Sequence, residues 1–139
     1  MRVMAIDYGD ARTGVAVSDP TGTLAGFTAV LPSRDREALL GRLAALAEEH
    51  RAEELVVGLP RNMDGTEGPR AALCREFAAA LGERTGLTPA LWDERRSTIE
   101  AHGILHAGGK REKRHKQTVD AVAASLILEG YLARKRRGI

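Results

Sequence analysis

Apolar positions along this chain come in short runs first and in helical stripes later. Val3-Met4-Ala5-Ile6 is an unbroken apolar run closed by Asp7. After Gly9 a second run, Val15-Ala16-Val17, ends at Ser18-Asp19, so the first nineteen positions predict two strands joined by a tight turn. Pro20-Thr21-Gly22 and Pro32 bracket a third strand from Leu24 to Leu31. Ser33 then suits a helix N-cap, and Leu39, Leu43, Leu46 and Ala47 form one stripe of a helix reaching about His50. Leu55-Val-Val-Gly-Leu59, closed by Pro60, has the continuous apolar character of a strand covered on both faces. A polar loop from Arg61 to Gly68 leads into Pro69 and a helix to about Leu81, with Leu73, Phe77, Ala80 and Leu81 facing inward. Leu87 to Asp93 predicts a further strand, with Pro89 near its start. Ser97 with Glu100 makes a capping box for a helix to about His106, and Gly108-Gly109 stops it. Thr118 caps a last helix to about Arg134, with Val119, Val122, Leu126 and Ile127 among its core positions.

Three strands followed by helix, strand, helix, strand, helix, helix define an α/β fold. The expected sheet is mixed and five-stranded, a three-strand antiparallel meander plus two parallel strands, with helices on its faces. One domain over 1–139 accounts for the chain, with no repeat, linker or low-complexity stretch. A hydrophobic share of 43% and a charged share of 29% are those of a soluble globular protein. No apolar run approaches the ~20 residues of a membrane-spanning helix, and no signal-peptide pattern precedes the first strand. The single cysteine, Cys74, sits in a helical pattern and reads as a buried, reduced thiol. The cytoplasm is the expected compartment.

A net charge of +2 says little until its distribution is considered. Lys110, Arg111, Lys113, Arg114, His115 and Lys116 cluster against one acid, Glu112, and lead directly into the last helix. Such a cluster is a polyanion footprint or a solvated loop; the basic tail Arg134 to Arg137 reads as a solvated helix end. An aromatic share of 4% argues against a base-stacking platform and for contact with nucleic-acid backbone.

Three carboxylates stand at comparable places in their elements. Asp7 ends the first strand. Glu94 ends the last strand, on the face shared by Trp92 and Ala90. Asp120 falls in the first turn of the last helix, on the side of Ala123, Ala124 and Ile127. Gathered together, such acids repel one another and are costly to bury without a cation. A pair of divalent ions held by them could activate water for phosphodiester cleavage. Each has an ordinary alternative: Asp7 capping a turn, Glu94 paired with Arg95 or Arg96, Asp120 favouring the helix dipole.

Four stretches make the chain similar to the YqgF/RuvX family, relatives of Holliday-junction resolvases in the ribonuclease-H-like superfamily. They are Asp7-Tyr-Gly-Asp-Ala-Arg-Thr-Gly-Val-Ala-Val-Ser-Asp19, Val57-Gly-Leu-Pro-Arg-Asn-Met-Asp-Gly-Thr-Glu-Gly68, Trp92-Asp-Glu-Arg95 and Thr118-Val-Asp-Ala-Val-Ala-Ala124. They occur in the family's order and span nearly the whole chain. The resemblance implies a ribonuclease-H-like fold and a divalent-metal nuclease of ribosome biogenesis, maturing the 5′ end of pre-16S ribosomal RNA. In that reading Asp7, Glu94 and Asp120 are the catalytic metal ligands, with Asp93 second in rank. The expected cofactor is Mg²⁺ or Mn²⁺, two ions, at a site empty until substrate arrives.

Around such a centre, Arg12 and Thr13 follow the Asp7 turn and are candidate phosphate contacts, although Arg12 could equally pair with Asp10 or Asp19. Asn62 and Thr66 lie in a loop after a strand's carboxyl end, where sites in such sheets sit. Arg95, Lys110, Arg111, Lys113, Arg114 and Lys116 complete the candidate nucleic-acid contacts. Expected partners are structured RNA first, branched DNA second, and pre-ribosomal particles, with no membrane and a monomer or weak dimer. Alternatives are resolution of four-way DNA junctions and nucleic-acid binding without catalysis. A phosphotransferase of the actin and sugar-kinase superfamily is a more distant one, since it needs two such domains.

Overall fold

Residues 1–22, 25–94 and 115–136 are described by the structure, a computed structural model, with 115–120 described through the helix backbone alone. The strands are β1 (Val3–Asp7), β2 (Arg12–Ser18), β3 (Ala25–Pro32), β4 (Glu54–Leu59) and β5 (Ala90–Asp93); the helices are α1 (Arg36–Glu49), α2 (Pro69–Thr85) and α3 (His115–Arg136). The five strands form one sheet in the order β3-β2-β1-β4-β5. The first three are antiparallel neighbours, while β4 and β5 run parallel to β1, as the sequence led us to expect.

Period-two alternation divides the sheet residues between two cores. Met4, Ile6, Val15, Val17, Leu55 and Val57 pack against α1 and α2 through Leu39, Leu43, Phe77 and Leu81. Val3, Ala5, Ala16, Val56 and Trp92 pack against α3 through Ala124, Ile127, Leu128 and Leu132. The continuous apolar runs of β1 and β4 follow directly, because both faces of these strands are covered. A fully buried Leu or Ile contributes about 1.5–3 kcal/mol, so these contacts, more than any surface ion pair, fasten α3 to the sheet.

The direction of α3 matters for the site. Near its C-terminus Tyr131 Oη donates to Glu54 Oε1 at 2.7 Å, and Lys135 pairs with the same carboxylate. Glu54 begins β4, whereas Ile127 lies over Gly58 near the end of β4. α3 therefore runs against the parallel strands, and its N-terminal half reaches their carboxyl ends.

Several boundaries differ from the sequence reading for identifiable reasons. Asp35, not Ser33, caps α1, accepting from the Ala38 N–H at 3.0 Å. The Ser33 hydroxyl instead shares a buried 2.6 Å hydrogen bond with Thr13. On α2 the inward positions are Ala71, Cys74, Phe77, Ala78 and Leu81, and Leu73 is 48% exposed. Small side chains at 71 and 74 let the helix approach Leu59 closely, which sets a phase that turns Leu73 outward. α2 continues to Thr85, where Gly86 ends it at a φ of 77°. β5 begins only at Ala90, after Pro89, which has no N–H to donate to a ladder. α3 already includes His115, so Thr118 is inside the helix and Asp120 lies beyond its first turn. Leu24 and the Ser97–His106 helix expected from sequence lie outside the described residues. Among the described residues no helix is long and apolar enough to cross a membrane.

Candidate active site

Asp7 points to the α3 side of the sheet, by alternation from Val3 and Ala5. Its partner on β2 is Gly14, and one step beyond the Ile6–Val57 pair on the other side comes Gly58 of β4. The carboxylate thus stands between two glycines. Gly58 pairs with Trp92 of β5, and the chain then continues through Asp93 to Glu94. A Cβ on Gly58 would lie 2.8 Å from Glu94 Oε1 and 2.8 Å from Ile127 Cδ1. Glu94 therefore reaches over β4 through space that only a glycine leaves open, and its carboxyl hydrogen-bonds with that of Asp7. Gly9 closes the adjoining turn, since a Cβ there would lie 2.3 Å from the Arg12 carbonyl oxygen.

The electrostatics follow from this packing. Burial first, then the hydrogen bond and charge of Asp7, push the Glu94 carboxyl up to about 9, with Asp93 adding to the effect and Arg70 opposing it. The two acids face each other, a donor set of hard oxygens that fits Mg²⁺ or Mn²⁺. Among the described residues no third His, Cys, Asp or Glu completes a metal-binding group. Asp120 shares a helix stripe with Ala124 and Ile127, four and seven positions on, at the end of α3 nearest the pair; its side chain lies outside the described residues.

The other predicted residues are spread around this centre. Asp93 falls on the opposite strand parity and lines a cleft of about 280 Å³ with Leu59, Arg61, Arg75, Trp92 and Arg134. Arg12 opens β2, half-buried and engaged with its surroundings. Thr13 is fully buried, and its bond to Ser33 removes its hydroxyl from reach of a phosphate, correcting that expectation. Asn62 and Thr66 are exposed and bonded to each other at 2.9 Å, while Asp64 Oδ1 accepts from the Thr66 hydroxyl at 2.6 Å. The loop is held at its base by Glu67, which accepts two hydrogen bonds from Arg75 at 2.8 and 2.7 Å. Arg95, Lys110, Arg111, Lys113 and Arg114 lie outside the described residues, and Lys116 is described only as a position in α3. Cys74 is buried, which pushes its thiol up to about 11 and keeps it protonated.

Sequence reasoning passed over Gly58 and Arg70. A glycine inside an apolar strand is a signal of close approach and could have flagged Gly58. Arg70 contacts residues sixty or more positions away, and nothing local announces it.

Among solved structures the chain superposes on RuvC of Thermus thermophilus in complex with a Holliday junction substrate, with a TM-score of 0.65. Identity is 15%, and the match covers 98% of this chain and 96% of that one. The fold is therefore ribonuclease-H-like, with an acid pair at the carboxyl ends of its parallel strands. The chain belongs to the RuvX family, described as Holliday junction resolvase, whose model matches residues 1–134. It is 41% identical over 137 residues to a protein of Carboxydothermus hydrogenoformans, covering 99% of each. To a protein of Myxococcus xanthus it is 43% identical over 132 residues, covering 95% of this chain and 87% of the relative. Both relatives bear the provisional name of pre-16S rRNA nuclease.

Proposed function

We propose that this protein is a metal-dependent nuclease that hydrolyses phosphodiester bonds in structured RNA, maturing the 5′ end of pre-16S rRNA in the cytoplasm. The observation that carries the reading is the Asp7–Glu94 pair, two acids brought together over Gly58 at the carboxyl ends of the parallel strands. Asp7, Glu94 and Asp120 would hold the ions, and Asp93 stands one residue from them. When bound there, divalent cations supply an activated water and neutralise charge on the leaving oxygen. The chain's own part is positional. Gly58 leaves the space beside Asp7 clear, Glu94 spans β4, and Asp120, on the half of α3 that reaches the strand ends, would join them. Arg12, Asn62, Thr66, Arg95 and the basic segment Lys110 to Lys116 would grip the substrate backbone, contacts that carry no base sequence.

The family's description favours a second reading, cleavage of four-way DNA junctions. One assay compares the two. Purified protein with Mg²⁺ or Mn²⁺ is offered a 5′ precursor fragment of 16S rRNA, an unstructured RNA and a four-way DNA junction. Cleavage of the precursor is expected, with loss of activity in EDTA and a drop of at least about a thousandfold in Asp7→Asn. Full activity in EDTA sinks the metal mechanism, and cleavage of the junction alone transfers the proposal to DNA.

A further inference from the structure

Beside the acid pair lies an ion pair for which the proposed reaction has no use. Arg70, in the first turn of α2, donates through Nη1 to Asp10 Oδ1 at 2.6 Å and through Nη2 to the Tyr8 carbonyl oxygen. Its guanidinium lies over the Tyr8 ring, 4.9 Å from the centroid. That ring is stacked on Phe77 in turn, with centroids 4.0 Å apart and planes within 7° of parallel. Two of these partners are fixed: a backbone carbonyl one residue after Asp7, and an aromatic ring wedged against the core.

The third partner differs. The Asp10 side chain is 89% exposed, whereas that of Arg70 is 32% exposed. An ion pair so open to solvent contributes little and is readily exchanged. A phosphodiester oxygen makes the same charge-assisted contact with a guanidinium edge, and arginine's rigid fork suits it. Position agrees with chemistry, because Arg70 is close enough for its charge to act on the Glu94 carboxyl.

We propose that Arg70 is a substrate ligand of the active site, and that Asp10 is a stand-in carboxylate that a backbone phosphate of the nucleic acid displaces. The inference deepens the nucleic-acid reading above and rests on it. Arg70 keeps its aim in both states, since Tyr8 holds it whether Asp10 or a phosphate fills the open edge. Asp10 swings into water on displacement, at small cost because it is nearly there already.

A double-mutant cycle tests this, using fluorescence anisotropy of a 5′-fluorescein RNA hairpin in EDTA. The proteins are wild type, Asp10→Ala, Arg70→Gln and the double variant. Removing the competitor should tighten binding about two- to fivefold in the Asp10→Ala protein. Arg70→Gln keeps a donor for the Tyr8 carbonyl but loses the charge, and should weaken binding about tenfold. In the Arg70→Gln background the gain from Asp10→Ala should vanish, a non-additivity that marks direct coupling. An equal gain in both backgrounds overturns the proposal, since Asp10 then acts only as a general negative charge; so does no gain in either. If Arg70→Gln does not fold, Arg70→Lys takes its place in the cycle, retaining charge without the fork. Cleavage of the same hairpin by wild type in Mn²⁺ is scored in parallel. Cleavage with a flat cycle removes Arg70 and leaves the nuclease reading standing. A coupled cycle without cleavage does the reverse, and no saturable binding by wild type removes both.

Discussion

Glu54 and Glu94 stand on the same face of the sheet, at opposite ends of its parallel strands, and their surroundings are opposite in sign. Burial disfavours the Glu54 carboxylate, but the Lys135 ammonium and the Tyr131 hydroxyl outweigh it and hold its carboxyl below the usual range. Burial also disfavours the Glu94 carboxylate, and there the neighbour is Asp7, so the carboxyl is pushed up to about 9. One helix, α3, covers both ends. It brings a cation to the first, and its N-terminal half reaches the second. The contrast separates two uses of a buried acid. Paired within the chain, it fastens a helix to a sheet. Paired with another acid, it holds its proton far above the usual carboxylate range and adds charge repulsion at the strand ends.

The largest effect that sharpens this contrast is expected in Glu94→Gln without metal. In the unfolded chain Glu94 ionises near its ordinary value of 4.5, while the folded state keeps the proton to about 9. Between these values the unfolded state binds fewer protons, so the stability of metal-free wild type should fall as pH rises through this window. Glu94→Gln should lose that slope and gain a few kcal/mol on the alkaline side, on the order of 10 °C in Tm. Thermal melts in EDTA across pH 5 to 9 check it. Parallel curves for the two proteins would show that the acid pair carries no strain.

Gly58→Ala comes next. Its Cβ would meet the Glu94 carboxyl carbon at 2.9 Å and Ile127 Cδ1 at 2.8 Å. Either Glu94 leaves Asp7 or α3 lifts from the sheet, at a cost of about 1–3 kcal/mol. The expected result is a lower Tm together with weaker Mn²⁺ binding by calorimetry. Unchanged Mn²⁺ affinity would mean that Glu94 reaches its place by a route that does not depend on Gly58.

The parts of the molecule legible from sequence are those in which local pattern and tertiary role agree. The apolar runs at Val3–Ile6 and Leu55–Leu59 have one stable use, as strands covered on both faces, and the meander plus two parallel strands was read correctly, although the order of strands across the sheet was not read. Asp7 was legible as an acid ending a strand, whereas Glu94, read as ending β5, falls one residue beyond it, and sequence could not say that the two touch. Leu73 misled because hydrophobicity was taken as evidence of burial, whereas the helix phase is set by Ala71 and Cys74 against Leu59. Ser33 misled because a second hydroxyl, on Thr13, competed for it across the sheet. The Arg70–Asp10 contact spans sixty positions and has no periodicity to reveal it.

The smallest effect lies at the far end and tests whether the two ends are independent. Lys135→Met removes the cation from Glu54 while keeping most of the side chain's apolar length. Glu54 has a lowered carboxyl, so the stability it contributes is complete above its unfolded value of 4.5 and is lost as pH falls through the lower folded value. The variant should therefore melt below wild type at neutral pH and converge with it in acid. Both side chains are partly exposed, 26% for Glu54 and 38% for Lys135, so solvent screening holds the difference to under about 1 kcal/mol, a few degrees in Tm. Tyr131 remains on Glu54 and limits the loss further. Nuclease activity and Mn²⁺ affinity should not change, because the contacts of Ala124, Ile127, Leu128 and Leu132 hold α3 in place without the ion pair. If Lys135→Met lowers Mn²⁺ affinity as much as Gly58→Ala does, the far anchor positions the acid end too, and the two glutamates belong to one coupled device.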